Sequence, residues 1–300
     1  MRPGVAAGVP GAPGSAGLLA AVSLSVLAWA GARRAAPVAA RALRRAGRVR
    51  RSYTGRWVPT GVGWVPAALG LAGMAALGAP GSALVPAAAA AGGWLDDVWP
   101  GPDRSVRGWA GHLRAALCER RLTSGTLKAV IVGMAAALGA LARLRQESAG
   151  RAMWGALGTA LTANALNQLD TRPGRAGQAF VLGMAWVAAA GEPRRRQRLA
   201  VWLPLVGAVM GYLPLDRAGD AMLGDVGANA LGAALGTAAA ELLDGRHLVR
   251  WTLLMAALNA AGDVLSLGRL VDRVAIAGRE QTRGHRNRLP SWRPAVVAPS

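Results

Sequence analysis

The sequence predicts an all-α fold: a polytopic membrane helix bundle of about nine transmembrane helices, N-terminus outside and C-terminus cytoplasmic. Three observations predict it. Hydrophobic residues make up 53% of the 300 and charged residues only 17%, too little charge for an ordinary soluble domain of this length. Apolar runs of roughly 15–20 residues recur along the chain, a length that suits helices crossing a bilayer. The formal charge of +20 gathers mostly between those runs, with only Lys128, Glu241, Arg250 and Asp263 inside them.

Taken in order, residues 1–14 are rich in Pro and Gly and read as a flexible N-terminus, followed by a transmembrane domain over 15–268. The first span is 15–32; its start resembles a signal peptide, but no soluble domain follows it. Nine arginines between Arg33 and Arg56 separate it from the second span, 61–79, and make that loop cytoplasmic by the positive-inside rule. The third span, 82–95, carries no charge and runs into Asp96 and Asp97. Six more follow at 125–141, 152–166, 179–191, 199–215, 226–243 and 248–267, several of them short or interrupted by Gly and Pro. Residues 269–300 form a basic cytoplasmic tail.

Alternation from the first loop places 96–124, 167–178 and 216–225 inside as well. The inner segments hold 24 arginines and the outer ones ten, among them Arg194, Arg195, Arg196 and Arg198 on the disfavoured side. The arginine excess on the inner membrane face argues for anionic lipid headgroups and phosphorylated substrates as partners, and against nucleic acid. The single cysteine, Cys118, excludes an intramolecular disulfide framework and a Cys-based zinc cluster.

With sides assigned, three acidic segments from distant parts of the chain fall on the inner face. Asp96 and Asp97 end the third span, "NALNQLD" (164–170) ends the fifth, and "MLGDVGANALGAALG" (222–236) opens the eighth. Aspartates are hard oxygen ligands suited to Mg²⁺, which binds through one or two carboxylates plus substrate phosphates. Asn164, Asn167 and Asp170 recur every three residues and share a helix face. Gly224 and Gly227 permit a tight turn around Asp225. Of 35 basic residues only Lys128 is lysine; a compact ammonium there suits a diphosphate, although one lysine surviving by chance is the plain alternative. Each cluster has such an alternative: a helix terminus for Asp96 and Asp97, interhelical bonding for the asparagines, an N-cap for Asp225. Carboxylates are unfavourable at a helix C-terminus, which weighs against the first. The small residues of "GANALGAALG" read as helix packing, and Arg172 and Arg175 serve equally as phosphate contacts or topology signals.

"WLDDVWPGPDRSVRG", "NALNQLD" and "MLGDVGANALGAALG", in that order, resemble the polyprenyl-phosphate N-acetylhexosamine-1-phosphate transferases, the superfamily of phospho-N-acetylmuramoyl-pentapeptide transferase. "RWVPTGVGWV" (56–65) is similar to its Pro-Thr-x-Gly-Gly segment and "LTSGTLK" (122–128) to its lysine-bearing stretch, so the resemblance covers about residues 50–240. It implies Mg²⁺-dependent transfer of a sugar-1-phosphate from a UDP-N-acetylhexosamine to a polyprenyl phosphate, with UMP released, in cell-envelope polysaccharide synthesis at the plasma membrane. By position it implies Asp96, Asp97 and Asp170 as catalytic, Lys128, Asn164 and Asn167 as substrate-binding, and Asp225 as the magnesium ligand. It also implies a homodimer as a possible assembly. The chain departs from the pattern in three places. Pro173 stands where the family has a second aspartate, Ala228 replaces a serine, and only His112, His247 and His285 exist where the family carries a His-rich loop. A divergent transferase and a catalytically inactive scaffold or regulator that keeps the fold therefore both stay open.

Overall fold

The computed structural model describes residues 15–98, 118, 124–144 and 147–265. Among the described residues the chain forms nine α-helices and one short hairpin. In order these are α1 (Ser15–Arg45), β1 (Val49–Arg51), β2 (Trp57–Pro59), α2 (Trp64–Ala76), α3 (Pro80–Val98), α4 (Ser124–Arg143), α5 (Ala149–Leu169), α6 (Arg175–Ala190), α7 (Leu203–Arg217), α8 (Gly224–Leu242) and α9 (Gly245–Leu265). A 3₁₀ segment, Arg196–Trp202, leads into α7. Each helix overlaps one of the nine apolar runs. Among the described residues two helical stretches, Ser15–Arg45 and Arg196–Arg217, are long and apolar enough to cross a membrane.

Two local outcomes differ from the sequence reading. α1 continues to Arg45, well past the apolar run that stops at 32. Ala28, Ala32, Ala36 and Ala40 recur every four residues as one buried stripe, so a helix face persists after hydropathy has fallen. The loop after α1 is also ordered into a hairpin, with Val49 opposite Pro59 and Arg51 opposite Trp57.

α8 is the axis of the bundle. It packs mainly on α3 and α5. Seventeen of its nineteen residues are buried; the two that are not are Asp225 in its first turn and Glu241 in its last. Small residues make this possible. A Cβ on Gly232 would lie 2.5 Å from the Ala163 Cα and one on Gly236 2.5 Å from the Thr159 Cα, so only glycine lets α5 approach this closely. Around this core the outward faces are apolar: Leu18, Leu19 and Val26 on α1, Met134 and Leu138 on α4, Leu182 on α6 and Leu253 on α9 are all exposed.

Opposite charges complement the two ends of α8. At its C-terminal end the Arg151 guanidinium donates to the carbonyls of Ala240 and Leu243, at 2.8 and 2.7 Å. Glu147 accepts from Arg151 at 3.1 Å and from Arg195 at 3.0 Å, while Ser82 donates to Glu241 at 2.8 Å. Arg195, one of the arginines on the disfavoured side, is thus held in an ion-pair network. At the N-terminal end the partners are carboxylates.

Candidate functional site

Leu223 precedes the first turn of α8 and offers no side-chain cap, so the orphan amides there need acceptors from elsewhere. They find them on two other helices. The Gly224 amide donates to Asp170 Oδ2 at 2.9 Å, and the Val226 amide donates to Asp97 Oδ2 at 3.1 Å. Asp97 stands in the last turn of α3, and Asp170 is the residue that caps the C-terminus of α5. Asp225 lies between the two donating amides and is partly exposed. The N-cap alternative for Asp225 therefore does not describe this helix; Asp97 and Asp170 do the capping from outside.

The turn is built to be crowded. Gly224 adopts φ +69°, and a Cβ on it would stand 2.5 Å from the Gly61 nitrogen and 3.0 Å from Asp97 Oδ2. Segment 59–63 runs beside it: Met222 donates to the Pro59 carbonyl at 2.9 Å, Val62 to that of Met222 at 3.1 Å, and Gly63 to that of Leu223 at 3.0 Å. "PTGVG" is thereby docked directly on the Asp225 turn.

The acids form one electrostatic group. Surrounding protein, together with the carboxylates of Asp216, Asp225 and Asp97, pushes the Asp170 carboxyl well above its usual range, against the opposing Gly224 amide. Asp96 adds its charge beside Asp97, and Arg50 opposes it. Asn167 lies one turn before Asp170 on the same helix, and it is engaged by other groups. Asn164 is not aimed at the acids: its amide donates to Asn259 Oδ1 of α9, and Asn259 in turn donates to the Leu161 and Met255 carbonyls. This is interhelical bonding. Lys128 lies in α4, but its side chain is outside the described residues. His247 sits at the far end of the bundle, 2.9 Å from Asp244, while His112 and His285 are outside the described residues.

Beside the acids opens a cleft of about 370 Å³. The hairpin forms one wall, 170–175 a second, and the end of α7 with residues up to Met222 a third. Arg56, Arg172, Arg175 and Arg217 line it together with Asp170 and Asp216. The Arg172 guanidinium stacks 4.3 Å over the Tyr53 ring, and Arg56 pairs with Asp220 at 3.6 Å. Asp216, Arg217 and the hairpin residues Tyr53 and Arg56 are members that the motif reading missed. One signal for Asp216 was present: like Asp96 and Asp97, it directly follows an apolar run on the predicted inner side.

Among the described residues no three His, Cys, Asp or Glu side chains form a ready-made metal cage. The donor chemistry still fits Mg²⁺, which takes one or two carboxylates and completes its shell with water and phosphate oxygens. Asp170, whose ionisation Asp216, Asp225 and Asp97 oppose, also belongs to a set of acids that a divalent cation would stabilise. The arrangement can hold a cation between acids and an anion against the arginines. No protein-family model matches the chain, and no curated protein matches it.

Proposed function

We propose that this chain is a multi-pass membrane phosphoglycosyltransferase. It moves a sugar-1-phosphate from a UDP-N-acetylhexosamine to a polyprenyl phosphate and releases UMP. On this reading the nine helices span the plasma membrane, with the N-terminus outside and the acidic end in the cytoplasm. The observation that carries it is the gathering of Asp97, Asp170 and Asp225 at the first turn of α8, beside an arginine-lined cleft. The apolar outward faces of α1, α4, α6 and α9 support the membrane setting.

In the reaction a lipid phosphate oxygen attacks the sugar-bearing phosphorus. A new P–O bond forms, the bond to the bridging oxygen breaks, and its electron pair leaves with UMP. Mg²⁺, bound through Asp225, supplies charge neutralisation on the diphosphate. Asp96 and Asp97 orient the lipid phosphate and hold its proton. Asp170 fixes the Gly224 turn that presents Asp225, and Asn167 extends that stripe towards the substrate. Lys128 offers a point charge to the diphosphate, and the arginines of the cleft hold the anionic donor in place. Positioning of two mutually repelling phosphates supplies much of the acceleration.

The test is direct. Purified protein with Mg²⁺, undecaprenyl phosphate and a panel of UDP-N-acetylhexosamines is expected to release UMP, and Asp225→Asn to abolish the release. A folded protein that releases none across the panel would instead support the scaffold reading, which Pro173 in the cleft wall and the remote position of His247 favour.

A further inference from the structure

At the end of the bundle remote from Asp225, where the Glu192 amide donates to the Leu242 carbonyl at the close of α8, a second hollow opens. It holds about 270 Å³ and lies between the first turn of α1 and the 3₁₀ segment that leads into α7. Leu18, Leu199, Ala200 and Leu203 make it apolar on one side, and Arg196 and Gln197 supply polar groups. Its two walls are tied together, because Ser25 Oγ donates to the Leu203 carbonyl at 2.9 Å. The Arg196 guanidinium is also held in place. Its Nε donates to the Gly191 carbonyl at 3.0 Å and its Nη2 to that of Ala189 at 2.9 Å, yet the residue stays exposed.

Charge and shape together describe an occupant. Arg194, Arg196 and Arg198 are all exposed on this segment, while its acid, Glu192, is already paired with Arg195 at 2.7 Å. The segment is therefore net positive and suits phosphate oxygens. The Gln197 amide both donates and accepts, which suits a headgroup hydroxyl. From the hollow an apolar stripe runs down α1: Leu18, Val22, Val26 and Trp29 recur at helical spacing and are all exposed. At 1.5 Å per residue the stripe is about 16 Å long, close to the depth of one leaflet of hydrocarbon. A soluble anion would leave it uncovered. A fixed cation at the head and an apolar track behind it describe a phospholipid of net negative charge.

We propose that this hollow binds an anionic glycerophospholipid of the outer leaflet, with its phosphate on Arg196, its headgroup on Gln197 and an acyl chain along the Leu18–Trp29 stripe of α1. This rests on the membrane setting and orientation given under Proposed function and is independent of the transfer reaction. It also gives a role to arginines that stand on the side the positive-inside rule disfavours.

The experiment titrates phosphatidylglycerol carrying a fluorescent acyl chain into the full-length protein in detergent, with phosphatidylcholine of the same chain for comparison and inorganic phosphate as competitor. Wild type is expected to bind phosphatidylglycerol more tightly than phosphatidylcholine, and inorganic phosphate to displace neither. Arg196→Gln should weaken phosphatidylglycerol about five-fold, the scale of one arginine at a lipid surface, and bring it level with phosphatidylcholine. Leu18→Gln, at an exposed position outside the Arg196 hydrogen bonds, should weaken both lipids. Arg41→Gln/Arg44→Gln, exposed at the far end of α1, should change neither. Equal binding of the two lipids by wild type, displacement by phosphate, or a loss that follows Arg41 and Arg44 in place of Arg196 and Leu18 overturns the site while UMP release stands. A preference for phosphatidylglycerol that depends on Arg196, in a protein that releases no UMP, upholds the site and overturns the transferase. Failure of the protein to float with phosphatidylcholine vesicles overturns the membrane setting and the site together.

Discussion

Asp97 and Asp170 grip the same helical turn from two different helices: one accepts from the amide of Val226, the other from that of Gly224, and Asp225 lies between those amides. Acids carried by α3 and α5 are thus tied to the acid of α8 by backbone hydrogen bonds, which place them at the positive end of its dipole. Since α8 is buried along nearly its whole length, the turn that carries Asp225 is anchored in the centre of the bundle.

Asp170 is predicted to trade stability for charge. Its carboxyl binds a proton more tightly in the folded than in the unfolded chain, because surrounding protein and the acids Asp216, Asp225 and Asp97 oppose its ionisation. The folded state is therefore favoured at low pH, and its advantage is lost as pH rises from the ordinary carboxylate range through the raised value. In metal-free protein at neutral pH, Asp170→Asn should raise the thermal midpoint by a few degrees, about 1 kcal/mol, and flatten this slope. It should at the same time remove UMP release.

Glu147 behaves in the opposite sense. Burial opposes its ionisation, but hydrogen bonds from Arg195 and Arg151 hold it below the usual glutamate range. Its contribution is present above the unfolded value and lost as pH falls through the folded one. Glu147→Gln should destabilise by about 2 kcal/mol at neutral pH and narrow the difference from wild type in acid, as read by thermal unfolding.

Gly236 tests the packing of α8. The Cβ of Gly236→Ala would meet the backbone Cα of Thr159, which cannot swing aside as a flexible side chain could. A loss of about 2 kcal/mol in unfolding free energy is expected. The same substitution at Gly133, where a Cβ meets nothing within 4 Å, should be neutral or slightly stabilising.

Much of the helix plan was legible because it rests on hydropathy: apart from the extension of α1, the apolar runs and the helices among the described residues coincide within a few residues. Where packing took over, it was not. The extension of α1 to Arg45 rests on an alanine stripe that hydropathy scores weakly. The motif acids Asp97, Asp170 and Asp225 were legible from their span ends, and they meet. Asn164 shares a helix face with Asn167 and Asp170, but a side chain on that face can still turn to another partner, here Asn259. Asp216 escaped because its importance is a property of three dimensions: the cleft wall that surrounds it comes from three separate segments.

In the proposed mechanism these acids share one divalent cation. Electron paramagnetic resonance with Mn²⁺ in place of Mg²⁺ measures this on the purified protein, without any assumption about the sugar. One Mn²⁺ per chain, lost in Asp225→Asn and weakened in Asp97→Asn, is the predicted result. A folded wild type that binds no Mn²⁺ in the presence of UDP, or that binds it equally well after Asp225→Asn, would contradict it.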